Sequence, residues 1–204
     1  MRPIARVSTA FLACLLVSVS LAGLSQPAQA DPKFPLFWGN VTGATILAKP
    51  KVTVPVPKST FGAVIDLADG SITGDIAVPD LTMKMKALNL LPITATIRLV
   101  PNGQTAGKVD LAAGKIQATT SFTIKVVRVV SDLTPKLNLV TAGCTASGPS
   151  TVPLYNTGPI NLGGSTPLEG IYEVPSFKNC GILTLLLTHL ISGPGNTLQI
   201  NLAN

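Results

Sequence analysis

The apolar and polar positions between 64 and 142 alternate as strands do, and the pattern is written twice. Asp66-Leu67-Ala68-Asp69-Gly70-Ser71-Ile72-Thr73 opens one unit; Asp110-Leu111-Ala112-Ala113-Gly114-Lys115-Ile116-Gln117 opens another 44 residues later. In each, a glycine closes a tight turn, where positive φ costs little without a Cβ, and an alternating run follows. A proline then interrupts, Pro92 or Pro135. The pattern predicts pseudo-repeats over about 64–100 and 108–142. In the first, Leu81, Met83, Met85 and Ala87 share a face, with Thr82, Lys84 and Lys86 opposite. After a break at 89–92, Ile93, Ala95, Ile97 and Leu99 resume the apolar face against Thr94, Thr96 and Arg98. In the second, Ile116, Ala118, Thr120, Phe122, Ile124 and Val126 align. This period of two is that of half-buried strands. Beyond Lys125 the alternation fails at Val126-Val127 and Val129-Val130, which predicts burial on both faces or a bulge. The run 136–142 is expected to close the unit.

The flanks differ. Residues 31–58 carry Pro32, Pro35, Pro50, Pro55 and Pro57. Proline cannot donate to a ladder, so an extended arm or edge strand is expected there. Phe34, Phe37 and Trp38 in that arm suggest an apolar plug onto the domain or, more sharply, a contact with a ligand or membrane surface. Downstream, 143–167 is turn-rich with a short strand at 151–155, and 166–174 alternates. Then 179–192 has helical spacing: Ile182, Leu183, Leu186, Leu187, Leu190 and Ile191 form a broad apolar stripe, and Thr184, Thr188 and Ser192 a narrow polar one. Asn179 suits a cap and Gly193-Pro194-Gly195 a stop. Such a helix rises about 18 Å, too short to span a bilayer. A closing strand is expected at 197–202. The expected fold is mainly β: an antiparallel curved sheet or β-sandwich built from the duplicated hairpin. One short amphipathic C-terminal helix covers its apolar face, in a single domain over 59–204.

Composition places this domain outside the cytoplasm. Arg2 and Arg6 precede an apolar run, and Ala28-Gln29-Ala30 is a small-x-small cleavage site, so 1–30 has the form of a secretory signal peptide. Cys14 lies too early for a lipoprotein signal. Cleavage leaves 174 residues with a charge near +4, mildly basic, which permits anionic envelope polymer or lipid as a partner and does not suggest nucleic acid. No membrane span is expected after cleavage. Two cysteines remain, Cys144 and Cys180, and in an oxidising compartment one disulfide is the default. They are too far apart for a redox Cys-x-x-Cys pair and lack the histidines of a zinc site.

Asn179-Cys180-Gly181, the leucine-rich helix and Ile191-Ser192-Gly193-Pro194-Gly195-Asn196-Thr197 together resemble the carboxy-terminal signature of small exported actinobacterial proteins. The run Asp66 to Asp75 and the pair Cys144 and Cys180 are similar too. The resemblance covers most of the mature chain and implies export, a disulfide and a single folded unit. It assigns no chemistry to any residue.

Catalytic motifs are missing. His189 is the one histidine and sits on the helix flank without a nucleophile context. There is no Gly-x-Ser-x-Gly elbow, no His-Glu-x-x-His and no phosphate loop, and the spacing of Asp66, Asp69, Asp75 and Asp80 is not that of a calcium loop. No cofactor, no metal and no enzymatic activity are expected. Two readings remain. The first is a secreted or cell-envelope domain acting by surface interaction, with Lys84, Lys86, Arg98 and Lys125 as the anionic-surface contact. The second is a carrier of a lipid or other apolar molecule in a cavity between sheet and helix. Met83, Met85, Leu183, Leu186, Leu187 and Leu190 would line it. A cavity of several hundred Å³ would favour the carrier, and a solid interior the surface module.

Overall fold

The computed structural model describes residues 32–87 and 90–204. The signal peptide expected at 1–30 lies outside them. The strands are β1 (Lys33–Leu47), β2 (Val52–Asp66), β3 (Ser71–Ala77), β4 (Leu81–Ala87), β5 (Leu91–Pro101), β6 (Thr105–Asp110) and β7 (Lys115–Ser131). They continue with β8 (Thr145–Ala146), β9 (Ser150–Asn156), β10 (Thr166–Val174) and β11 (Phe177–Lys178). A helix α1 (Thr184–Ile191) and the last strand β12 (Gly193–Ala203) complete the chain.

The mainly β class is present, but the sheet is neither open nor a sandwich. It closes into an eight-stranded antiparallel barrel in the order β7-β6-β3-β2-β1-β12-β10-β9, and β9 pairs back onto β7 from Gln117↔Tyr155 to Phe122↔Ser150. Alternation along one strand says which side is dry; it does not name the strand that will shield it. Here the sheet shields itself. Close approaches at the wall are made by glycines: a Cβ on Gly43 would lie 2.0 Å from the Gln199 carbonyl oxygen, and one on Gly107 2.1 Å from that of Gln117. Bare backbone in a strand marks such approaches and bends.

Strand β7 outlasts the barrel. Its first part pairs with β6 and β9, and its last part, Phe122 to Ser131, pairs with β5. Strands β4 and β5 therefore extend the wall beyond the β3–β6 pair. The expected bulge falls here: Thr96 faces Arg128 and Ile97 faces Val126, leaving Val127 unopposed. After β7 the second unit departs from the first. No strand forms at 136–142; instead Asn138 Oδ1 accepts from the N–H groups of Val129 and Val140, and Leu139 N–H donates to the Val129 carbonyl at 2.8 Å. A side chain thus takes the place of part of a ladder. The two hairpin turns are alike in placing a glycine at positive φ, Gly70 at 71° and Gly114 at 62°, and the likeness ends soon after them.

Residues 33–58 are barrel wall rather than an arm. Pro32 and Pro50 fall outside the strands, and the other three fit because each lies where its strand is paired on one side only. β1 gains its β12 partner only from Asn40, and β2 gains β3 only from Thr60. Pro35, Pro55 and Pro57 fall in these one-sided halves.

The helix also differs in detail. Asn179 does not cap it; Asn179 takes φ 56°, and the first turn, Gly181–Leu183, is 3₁₀. No side chain caps the 3₁₀ turn or α1; the Thr184 hydroxyl instead ties the entry together, accepting from Cys180 N–H at 3.0 Å and donating to the Gly181 carbonyl at 2.9 Å. A tighter first turn shifts the phase of the stripe. Leu187 and Ile191 are buried and Leu183, Leu186 and Leu190 partly so, while Ile182 is exposed. The helix runs straight into β12 at Gly193, so Gly193-Pro194-Gly195 begins a strand. Cys144 and Cys180 are bridged, Cα to Cα 4.2 Å, tying the helix start to the chain leaving β7.

Candidate functional site: the barrel lumen

Inward positions of the strands meet inside the barrel and leave two adjoining cavities of about 70 Å³ each. Both touch Val56, Leu99, Phe122 and Leu198, which form the partition between them. The first lies toward Phe61, Leu154, Leu168 and Leu202; the second lies toward the helix, between Leu47, Leu81, Phe177 and Ile191. No charged side chain borders either one. A water needs about 10–15 Å³ of such space and two or more polar partners, so each cavity has room for roughly five heavy atoms and offers water little.

The polar features of this interior are few and oriented. Tyr172 and Thr45 share a hydrogen bond of 2.7 Å between their hydroxyls, and Thr45 Oγ1 also donates to the Thr197 carbonyl at 3.1 Å. Both residues border the second cavity. Burial raises the Tyr172 pKa, opposed in part by its bond to Thr45, so the phenol stays protonated through the neutral range. Phe122 meets the Tyr172 ring edge-on at 6.1 Å between centroids. Trp38, the single tryptophan, is buried and stacked on Phe61 at 5.5 Å, which places an aromatic reporter behind one wall of the first cavity. Its indole N–H, with Ser150 Oγ, lacks a hydrogen-bond partner.

The wall has one weak seam. β4 packs beside β2 without a hydrogen-bonded ladder between them. Near it, an outer cleft of about 510 Å³ is bordered by Lys58, Ser59, Thr60, Ile76, Ala77, Val78, Pro79, Leu99 and Pro101. Ile76, Val78, Leu99 and Pro101 border both this cleft and the first cavity.

The residues expected to line a cavity lie elsewhere. Met83, Met85 and Leu187 are buried and Leu183, Leu186 and Leu190 half-buried, yet none borders either cavity; Ile191 and Leu81 reach it instead. The periodicity named the correct face of β4 but not the position along it. Phe122 and Leu99 were legible as inward residues of β7 and β5. Val56 was hidden in the proline-rich stretch, whereas Leu198 fell on the expected closing strand, whose partner the sequence did not name. Lys84, Lys86, Arg98 and Lys125 form two separate pairs along β4, β5 and β7: Arg98 is directly opposite Lys125, while Lys84 and Lys86 face Thr94 and Pro92, four and six residues further along β5. Arg98, however, is held by Asp80 in two bonds of 2.8 Å. That pairing lowers the Asp80 pKa and raises that of Arg98.

Among the described residues, no group of three or more His, Cys, Asp or Glu could hold a metal ion, and no helix is long and apolar enough to cross a membrane. Fold and site define a closed eight-stranded β-barrel with an apolar lumen. No family model, curated protein or solved structure matches the chain.

Proposed function

We propose that this barrel binds a small apolar molecule in its lumen and carries it outside the cytoplasm. The observation that supports this reading is the pair of adjoining uncharged cavities, separated only by side chains. An eight-stranded barrel is the size at which the interior either fills or holds one small ligand. Either cavity alone is too small for a lipid, and the two together, about 140 Å³, fall short of the several hundred Å³ expected of a lipid carrier, so the ligand proposed is a small one. If the Phe122 ring swings aside, the two join, with room for about ten heavy atoms. That suits a medium-length acyl chain or a compact apolar ligand, with the Tyr172–Thr45 hydroxyl pair at hand for one polar end. The disulfide is consistent with an oxidising compartment.

Nonan-1-ol is a fitting probe, and Trp38 reports on it. Titration should change the tryptophan emission saturably, and Leu198→Phe, which fills the partition, should weaken binding at least tenfold while the protein still melts cooperatively. A folded parent whose Trp38 signal stays flat would overturn the reading. Native mass spectrometry of protein from an exporting host gives the second check, as added mass from a co-purifying apolar molecule.

A further inference from the structure

The barrel is electrically lopsided along its axis; exposed apolar side chains occur at both ends, with Leu67 (48%) and Leu111 (55%) at the hairpin turns, but the most exposed ones lie at the charged end. At the helix end lie Lys49 and Lys51 in the β1–β2 turn, Lys84 and Lys86 toward the β4–β5 tip, and Arg128 and Lys136 around the end of β7. Asp132 and Glu173 are the acids there, and Asp132 accepts from the Thr94 hydroxyl at 3.0 Å. Elsewhere among the described residues, Lys33, Lys58, Arg98, Lys108, Lys115, Lys125 and Lys178 are nearly matched by Asp66, Asp69, Asp75, Asp80, Asp110 and Glu169; Lys178 shares a row with Lys125 and Arg98 through Thr145. Most of the excess positive charge therefore resides at one end.

That end also exposes large aliphatic side chains. Ile182 is 91% and Leu185 83% exposed on the outer side of the helical segment, Leu90 85% at the β4–β5 tip, and Leu133 76% after β7. The chain brings them to one end. Asp132 N–H donates to the Pro92 carbonyl, linking the tip to the segment after β7. The Thr141 hydroxyl bonds the Asn179 carbonyl, linking that segment to the helix start. Leu137, also exposed, lies between these two links. No exposed leucine of this group is needed by the core, and an apolar patch rimmed by cations is the signature of a surface that meets something.

We infer that the helix end of the barrel docks on an anionic lipid bilayer, with Ile182, Leu185, Leu90 and Leu133 entering the headgroup boundary and the lysines meeting lipid phosphates. The chemistry selects lipid over protein. Protein hot spots are built from Trp, Tyr and Arg, whereas this patch is Leu and Ile ringed by Lys, whose long stems let the ammonium stay with the headgroups. Shallow apolar insertion combined with attraction to anionic lipid is the interfacial mode of binding. The second lumen cavity ends at Ile191 on this same side, so a docked barrel holds that end of its interior next to the membrane.

Vesicle flotation tests this with the chain from Asp31 onward, the unit that holds every strand and the helix. Parent protein should float with phosphatidylcholine vesicles containing about 30% phosphatidylglycerol, not with pure phosphatidylcholine, and should be released by salt. Ile182→Ser with Leu185→Ser, and separately Lys84→Glu with Lys86→Glu, should each cut binding at least tenfold with the thermal melt unchanged. Lys108→Glu with Lys115→Glu, at the opposite end, should bind as the parent does. Failure of the parent to float overturns the inference, as does equal binding by the helix-end variants. Binding to soluble polyphosphate that the serine variants retain, without vesicle flotation, would mean charge recognition alone and would also overturn it. Lumen occupancy by nonan-1-ol is read separately, so either property can fail without the other.

Discussion

The two ends of the barrel are built by different means. At the turn end, the short phrase Asp-Leu-Ala-x-Gly appears in both hairpins, and each turn is closed by its own side chain. Asp66 Oδ1 accepts from Ala68 N–H, Asp110 Oδ1 from Ala113 N–H, and Gly70 and Val109 join the turns through a 2.7 Å bond. At the helix end long-range links dominate. A two-residue strand β8 pairs with a two-residue strand β11, a disulfide bridges 36 positions, and Thr188 on the helix accepts from Phe177 N–H. The first end holds itself closed by turn chemistry. The second is held by long-range links, and that frees its outer surface to be apolar and cationic without cost to the core.

Four substitutions or conditions probe this contrast, taken from the largest effect to the smallest. Leu187→Asp places an unpaired charge in a buried position and should destabilise by more than about 4 kcal/mol, whereas Leu185→Asp, on the exposed side of the same helix, should stay within about 0.5 kcal/mol. Chemical denaturation of both variants measures the difference; equal effects would mean the helix does not pack as described. Replacing Cys144 and Cys180 together by serine should cost about 3–4 kcal/mol from the loop released. It should also loosen the helix end first, visible as faster amide exchange at 177–191 than at the hairpin turns.

The two glycine turns permit a finer comparison. Gly114→Ala should cost about 1 kcal/mol for a left-handed residue with a Cβ, since nothing lies within 4 Å of the added atom. Gly70→Ala should cost clearly more, because its Cβ would lie 2.6 Å from the Val109 carbonyl oxygen. A matched pair of melts distinguishes them, and equal losses would argue against the contact between the turns.

The smallest expected effect is a pH dependence at the turn end. The Ser71 side chain and N–H, and then Lys108, hold the Asp69 carboxyl down to about 2. A depressed folded-state value means the carboxylate's stabilisation is present above the unfolded value of 3.8 and is lost as pH falls through about 2. Asp69→Asn should therefore flatten a slight loss of stability in that acid window and change little at neutral pH. The group is exposed, so the effect is small. A parent melt that does not respond to Asp69→Asn anywhere below pH 4 would contradict this.

Much of the wall could be read from the chain. The alternation of β4, β5 and β7, both glycine turns, the bulge beyond Lys125, strands β9, β10 and β12 and the Cys144–Cys180 bridge all rest on neighbours within a few residues or on the rule for oxidising compartments. The lumen was legible only in part. Phe122 and Leu99 announce themselves by period, but Val56 lies among prolines that argued for an arm. Proline is excluded only from strands paired on both sides, and which strands those are is a property of the whole sheet. Leu198 and Ile191 become cavity walls only once β12 has closed against β1.

The sequence by itself determined which side of each strand is dry, where the chain turns, and which two sulfurs bond, because these depend on local geometry and on residue chemistry. The tertiary structure alone decided that the dry sides would face one another around a closed barrel, that a 3₁₀ first turn would swing Ile182 outward, and that the cations would gather at one end. Each of those outcomes depends on which distant strand pairs with which. A period of two is satisfied equally by any cover, so the choice falls to long-range pairing and the space it encloses.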